Sequence, residues 1–264
     1  MLPRTNVIRC RDADYLLFAT TDLISTALYL TDGWEPHLVD ISRVFHQAAT
    51  RPLVLDIGAN LGAYAVPVAK EIQARGGVVY AYEPQRIVYY QLCGNAVLNR
   101  LDNLLAYNNA VGDQPGTVFI PDMDLSRQPN VGGFSLVKTY REAQGVESAM
   151  LEGGHHVPMV ALDDLDLPAS PCVIKIDVEG YELEVLQGGL KFLEHHGYPP
   201  FLFEAWNREW YAPQKEALLR LITSLGYRVQ TILKDNFIAQ HPSHPVQIEI
   251  HPLGSEHLEV RRLR

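Results

Sequence analysis

Cysteine is scarce in this 264-residue chain, at three residues. Cys10, Cys93 and Cys172 are odd in number, and no two have Cys-x-x-Cys spacing. That excludes a disulfide-stapled scaffold and points to a reduced, cytoplasmic protein. No stretch approaches the roughly 18 consecutive apolar residues of a membrane helix, so no membrane partner is expected. The N-terminal segment carries Asp12, Asp14 and Asp22 and lacks the apolar centre of a secretory signal. There is no Asn-x-Ser/Thr sequon, repeat or low-complexity tract. Basic charge is also short: 22 Lys and Arg against 31 Asp and Glu, a net charge of -9. An acidic surface repels phosphate backbones, so no nucleic-acid partner is expected. The basic cluster Arg261-Arg262-Leu263-Arg264 reads as a frayed tail. Apolar residues are plentiful at 47%, enough to bury a core without metal or disulfide staples.

Strand-like and helix-like patterns alternate through the middle of the chain, which predicts an α/β fold with a parallel sheet and crossover helices. Pro52–Ile57 reads as a buried strand, Gly58–Gly62 as a turn, and Leu61, Ala65, Val68 and Ile72 keep helical spacing to about Arg75. Pro67 is tolerable only in a first turn, so that helix should begin late or kink. Gly77–Glu83 is the second strand, residues 86–98 a helix, and Leu104–Asn108 a third strand. Residues 112–160 break the alternation and read as an insertion of hairpins and loops, a place for a substrate wall. Cys172–Asp177 is another buried strand, followed by a helix over Tyr181–Leu193 interrupted at Gly188-Gly189. Phe201–Glu204 and a helix over 212–225 come next, and Tyr227–Leu233 and Val246–Ile250 are read as an antiparallel end to the sheet. The organisation expected is an N-terminal strand and helix over 1–50, a core over 51–252, and a C-terminal tail over 253–264.

The loop Asp56-Ile-Gly58-Ala-Asn60-Leu-Gly62 carries the strongest chemical signal. Gly58 permits a sharp turn at a strand's carboxyl end, and Gly62 close packing of the next helix, leaving backbone N–H groups open to a ligand. Asp56, just before the turn, favours a cationic group over a phosphate. The second strand ends in Tyr82-Glu83-Pro84, and an acid there can accept both ribose hydroxyls. A nicotinamide dinucleotide site wants a middle glycine where this chain has Asn60, and the Gly-Lys-Ser/Thr of a phosphate loop is absent. A nucleoside with an amino-acid arm and no phosphate, S-adenosylmethionine, fits these residues best.

Asp177 should lie beside that loop if the sheet reverses direction between the two strands. Glu179 is placed for a helix N-terminus. Lys175 shares the face of Asp177 and reads as its buried partner. Glu204 ends the neighbouring strand. Such acids can serve as general base or hydroxyl ligand, or share a divalent ion with Asn207, although a metal is not expected. His155-His156 reads as exposed loop histidines, and His241 and His244 as no metal pair. Trp206, Trp210 and Tyr211 either wall an acceptor pocket or pack on a helix.

Taken together, Asp56–Gly62, Glu83-Pro84, Ala110-Val-Gly-Asp113 and above all Ile174-Lys-Ile-Asp-Val-Glu-Gly-Tyr-Glu-Leu-Glu-Val-Leu186 resemble the FkbM-type methyltransferases. The likeness runs over roughly residues 20–250 and includes Val131-Gly-Gly-Phe-Ser135. It implies a class I methyltransferase fold, a Rossmann-like, mostly parallel seven-stranded sheet with an antiparallel end. It also implies S-adenosylmethionine-dependent O-methylation of a small-molecule, sugar or natural-product hydroxyl. Asp56, Gly58, Asn60 and Gly62 would line the methionine end, Glu83 and Pro84 the ribose, and Asn109 and Ala110 the adenine. Asp177, Glu179 and Glu204 would face the reaction. A non-catalytic binding module on this fold, a methyltransferase with another acceptor atom, and a nicotinamide-linked oxidoreductase are the competing readings. Oligomeric state is not legible.

Overall fold

The computed structural model describes residues 4–20, 22–124, 132–145, 150–254 and 257–263. Val131 and Arg264, singled out above, lie outside the described residues.

The chain opens with a hairpin, β1 (Thr5–Arg9) and β2 (Asp14–Phe18), and two helices, α1 (Leu23–Thr31) and α2 (Pro36–Gln47). The core then alternates as expected: β3 (Leu53–Ile57), α3 (Ala65–Gln73), β4 (Val78–Tyr82), α4 (Arg86–Leu98) and β5 (Leu104–Tyr107). The insertion contains β6 (Ala110–Gly112), β7 (Gly116–Met123), α5 (Lys138–Gln144) and β8 (Met150–Ala161), with the strands in a sheet of order β6-β8-β7. The core resumes with β9 (Val173–Ile176), α6 (Glu182–Gln187), α7 (Leu190–His195), β10 (Phe201–Glu204), α8 (Ala212–Ser224), β11 (Arg228–Thr231) and β12 (Asn236–Gln240). A closing hairpin pairs β13 (Ile248–Pro252) with β14 (Leu258–Arg262).

The principal sheet has seven strands in the order β11-β12-β10-β9-β3-β4-β5. Its four pairings from β10 through β5 are parallel, and β12 runs antiparallel to both neighbours. The chain leaves β3 toward β4 and β5, then returns to β9 on the other side of β3. The switch point, where ligands bind beyond strand carboxyl ends in open α/β sheets, therefore falls between β3 and β9. Both strands are wholly buried, as strands covered on both faces must be. Val54 and Val173 face a core shared with α2, α3 and α4, while Leu55, Ile57, Ile174 and Ile176 face one shared with α6, α7 and α8.

Several expectations need correction. Val246–Ile250 does not join the principal sheet; its antiparallel end is β11 and β12, and Asn236–Gln240 of β12 shows no two-residue alternation because it is buried on both faces. The segment read as a tail forms β14, whose Leu258 and Val260 pack on the core. Residues 1–50 hold two strands and two helices, and the insertion carries α5, a helix not expected there. Pro67 sits in the first turn of α3, which begins late at Ala65. Gly188 and Gly189 separate α6 from α7, and the chain passes close to β6 there: a Cβ on Gly188 would lie 2.1 Å from the Gly112 carbonyl oxygen. Among the described residues no helix is long and apolar enough to cross a membrane.

Candidate active site

A cavity of about 400 Å³ opens at the switch point, within the range of small-molecule sites. Its walls come from the loop after β3, the end of β4, the start of β6, the loop after β9, the end of β10, the insertion and the N-terminal helices.

The loop after β3 is drawn tightly over its neighbours. Gly58 has φ +82°, and a Cβ there would stand 1.8 Å from the Asp177 carbonyl oxygen. Only glycine lets the two loops touch. Gly58→Ala is expected to cost about 3 kcal/mol, from left-handed strain plus backbone overlap, read as a lowered denaturant midpoint. An unchanged midpoint would contradict the close approach.

The backbone N–H groups of this loop are not open to a ligand, contrary to expectation. Those of Gly58 and Ala59 both donate to the Tyr82 carbonyl, at 3.0 and 2.9 Å. Asn60 N–H donates to Glu83 Oε2 at 2.9 Å, Leu61 N–H to Asn60 Oδ1 at 2.7 Å, and Gly62 N–H to the Ala59 carbonyl at 2.9 Å. A phosphate-binding loop works by presenting such donors to the anion. Here all five are satisfied internally, so the loop suits a ligand that brings no phosphate.

Glu83 is buried, and each of its oxygens is anchored: Oε1 accepts from Gln85 N–H at 2.8 Å and Oε2 from Asn60 N–H at 2.9 Å. Burial pushes this carboxyl up to about 7, against the pull of the two backbone donors. Each oxygen keeps a lone pair for a hydroxyl donor. Pro84, Asn109 and Ala110 also line the cavity. Asn108, unremarked in the sequence, joins their loops by donating to the carbonyls of Glu83 and Pro84 at 2.9 and 3.0 Å.

Asp56 and Gly62 do not line the cavity. Strand pairing sets Asp56 opposite Lys175 in register, so the two side chains share one face. Asp56 Oδ1 is 3.6 Å from Lys175 Nζ, and neither Asp56 oxygen accepts a hydrogen bond. Burial pushes its carboxyl up to about 6 despite the ammonium nearby. Gly62 has φ +94° and packs against Leu92 and Val66, a helix-packing position.

Lys175 also donates to Asp177 Oδ2 at 2.9 Å. Burial would lower the Lys175 ammonium, but Asp177 and Asp56 outweigh it and raise it above its ordinary value. The pair expected between Lys175 and Asp177 is thus a triad, buried at Asp56 and Lys175 and part-exposed at Asp177, whose middle member lines the cavity. Asp177, Glu179 and Glu204 all line the same cavity. Burial, with Asp177 and further acids nearby, pushes both Glu179 and Glu204 well above the carboxylate range. Glu204 Oε2 accepts from Trp206 Nε1 at 2.8 Å.

Glu179 adopts a left-handed φ of +55°, strained for a non-glycine residue. Glu182 holds that bend. Its Oε1 accepts from the N–H groups of Val178 and Gly180 at 3.0 and 3.3 Å, and its Oε2 from the Tyr211 hydroxyl at 3.1 Å. The sequence signalled this in Val178-Glu-Gly-Tyr-Glu182, where an acid follows a glycine turn by two residues, as at a helix N-terminus. Tyr211 is fully buried there and Trp210 packs on Tyr140, so only Trp206 of the three aromatics reaches the cavity.

Asn207 is committed elsewhere: its side chain donates to Asp235 Oδ1 at 2.6 Å and accepts from Lys215 Nζ at 2.7 Å. His155 and His156 lie away from the cavity, against Arg86 and Phe119, and His241 stacks on Tyr198. Among the described residues no group of three or more His, Cys, Asp or Glu is arranged to hold a metal ion. Further lining residues were not assigned to the site from the sequence. Trp34 and Glu35 reach the cavity from the start of α2, and Phe134 and Leu136 from the insertion, beside Gly132, where any Cβ would overlap the Asn60 amide. Such contacts join segments distant in sequence through loops without periodic pattern.

Comparison with known proteins shows the family. The methyltransferase FkbM domain family matches residues 56–229, about two thirds of the chain. The methyltransferase sdnD of Sordaria araneosa is 27% identical over 249 residues, covering 81% of this chain and 88% of that protein. The hexuronic acid methyltransferase AglP of Haloferax volcanii is 29% identical over 154 residues, covering 56% of this chain and 55% of that protein, so the chain spans about half of it. The crystal structure of an FkbM methyltransferase from Methylobacillus flagellatus superposes with a TM-score of 0.47 at 17% identity, over 72% of this chain and 43% of that one. The chain belongs to the FkbM family of S-adenosylmethionine-dependent methyltransferases.

Proposed function

We propose that the chain methylates a hydroxyl oxygen of a small molecule or glycan, with the switch-point cavity holding cofactor and acceptor together. The observation that carries this reading is the cavity's lining. A hydroxyl-accepting carboxylate, Glu83, lies in the same cavity as three carboxyl groups, Asp177, Glu179 and Glu204. The fit to S-adenosylmethionine rests on the acidic lining, which suits a cation, and on a glycine loop with no free donors for phosphate.

Glu83 receives the ribose hydroxyls, and Pro84, Asn109 and Ala110 border the base. Gly58 and Asn60 border the amino-acid arm. The bound cofactor supplies an activated methyl group. The chain's own residues align the acceptor, exclude water and take up its proton. Lys175 holds Asp177 Oδ2, leaving Oδ1 as the acceptor for that proton. Glu179 and Glu204, pushed above the carboxylate range by burial and by Asp177, line the cavity beside it and can hydrogen-bond the acceptor. The relatives' names support a small acceptor, since one acts on a hexuronic acid.

The test is transfer of labelled methyl from S-adenosylmethionine to hydroxylated sugars and aromatic scaffolds, followed by mild alkali. Label retained in an ether is the expected result. Label released as methanol marks a carboxyl ester and overturns the hydroxyl assignment. Label found only on nitrogen does the same.

A further inference from the structure

Arg208 and Lys234 both line the cavity, and among the described residues neither side chain has an ion-pair or hydrogen-bond partner. Asp235, Glu204 and Glu35 line the same cavity, and each already accepts hydrogen bonds from neutral neighbours on one oxygen. Asp235 Oδ1 accepts from the Asn207 N–H and side-chain amide at 2.9 and 2.6 Å, and Glu204 Oε2 from Trp206 at 2.8 Å. Glu35 Oε1 accepts from Asn236 at 2.7 Å.

The two cations come from different loops, and the chain fastens those loops together. Arg208 follows β10, and Lys234 occupies the turn between β11 and β12. Asn207 bridges them, donating to the Lys234 carbonyl at 3.4 Å as well as to Asp235. Lys215 secures the bridge from α8 by donating to Asn207 Oδ1 at 2.7 Å and to the Ala205 carbonyl at 3.0 Å. Lys234 itself holds a left-handed φ of +52°, strain that a free surface turn would shed onto glycine or asparagine. Trp34 and Trp206 line the same cavity and present aromatic surface of the kind that sugar rings pack against.

We propose that the methyl acceptor is an anionic hydroxy compound, an acidic sugar or its like, whose carboxylate or phosphate is gripped by Arg208 and Lys234 while its hydroxyl lies at Asp177. The guanidinium suits two-point recognition of either anion, and the ammonium adds a point charge. The inference rests on the reading of this cavity as the methyl-transfer site, and it supplies what that reading lacks, the acceptor's charge. The two free cations also offset the acidic lining that would otherwise repel such an acceptor.

The test uses the full chain loaded with S-adenosylhomocysteine and three probes that differ in charge: D-glucuronate, glucose 6-phosphate and glucose. Calorimetry or ligand-observed NMR is expected to show at least one anionic sugar binding roughly 10-fold tighter than glucose. That preference should fade as salt rises. Which of the two anions leads identifies the group recognised. In the double variant Arg208→Gln with Lys234→Gln the preference should disappear while affinity for S-adenosylhomocysteine stays within about three-fold. Glucose binding as tightly as both anions overturns the proposal, as does a preference that survives the double substitution. Binding of S-adenosylhomocysteine to the unaltered chain is measured first. Its absence would sink the cofactor reading alone, and the sugar comparison on the unloaded chain would still decide the acceptor's charge.

Discussion

Asp177→Asn is expected to lower kcat by roughly two to four orders of magnitude, the usual contribution of a positioned general base. The substitution keeps the shape of the side chain and leaves a carbonyl oxygen able to accept from Lys175, but it removes the group that can take a proton from the acceptor. An alcohol is a weak nucleophile, and Glu179 and Glu204, the two carboxyl groups assigned beside Asp177, are poor substitutes. Glu179 and Glu204 are each held well above the ordinary carboxylate range by burial and by the charge of Asp177 itself. Weakening that charge would ease their ionisation, so part of the lost rate should return as pH rises, a behaviour that simple misfolding would not produce. Affinity for S-adenosylhomocysteine should change little, because the role proposed for Asp177 is at the acceptor's hydroxyl and not against the cofactor's ribose or base. Lys175 keeps Asp56 at 3.6 Å, so the buried ammonium is not stranded. Turnover at the unaltered rate would remove Asp177 from the role of base. A fall in cofactor affinity equal to the fall in rate would make it a binding residue instead.

How far the sequence could be read depended on whether a feature was local. Strands buried on both faces, such as β3, β9 and β10, are mostly apolar runs, broken only by Asp56 and Lys175 and bounded by glycine, proline or an acid, and their limits were legible to within a residue or two. Glu83 and Asp177 were legible because an acid ending such a run must stand at a strand's carboxyl tip, where α/β sheets bind ligands. Asp56 ends its run in the same way, yet its side chain turns from the cavity. It is buried against Lys175 of the neighbouring strand, and strand register between distant segments is not written in either strand alone. The same limit hid the closed donors of the glycine loop, since two belong to the Tyr82 carbonyl and one to Glu83. β12 was missed and Val246–Ile250 put in its place because both are short apolar runs near the end of the chain, and only long-range pairing separates them. Trp34, Glu35, Arg208 and Lys234 sit in loops, where side chains gain meaning from what the fold brings near them.

Glu83→Gln should weaken S-adenosylhomocysteine binding about 100-fold, the loss expected when two charge-assisted hydrogen bonds to ribose hydroxyls are replaced by one neutral acceptor. The amide also sets an N–H against the donating N–H of either Asn60 or Gln85, which loosens the loop that borders the ligand. A pH signature separates this role from a structural one. Burial raises the Glu83 carboxyl from its ordinary value of 4.5 to about 7 in the folded chain. The hydroxyls prefer the ionised form, so affinity should climb as pH rises toward about 7 and level off above it. Below that point binding should release close to one proton, measurable by titration in buffers of different ionisation enthalpy. Stability runs the other way. A carboxyl raised on folding stabilises the chain fully below the unfolded value of 4.5, and that contribution is lost as pH climbs through about 7. Asp56, raised to about 6, and Glu182, raised to about 7, act in the same direction. The ligand-free chain should therefore melt lower across the window in which it gains affinity, and the gap between free and loaded melting temperatures should widen with pH. In Glu83→Gln the affinity should be flat with pH and the proton release absent. A pH-independent affinity in the unaltered chain, or unchanged binding in the variant, would take Glu83 out of the ribose site.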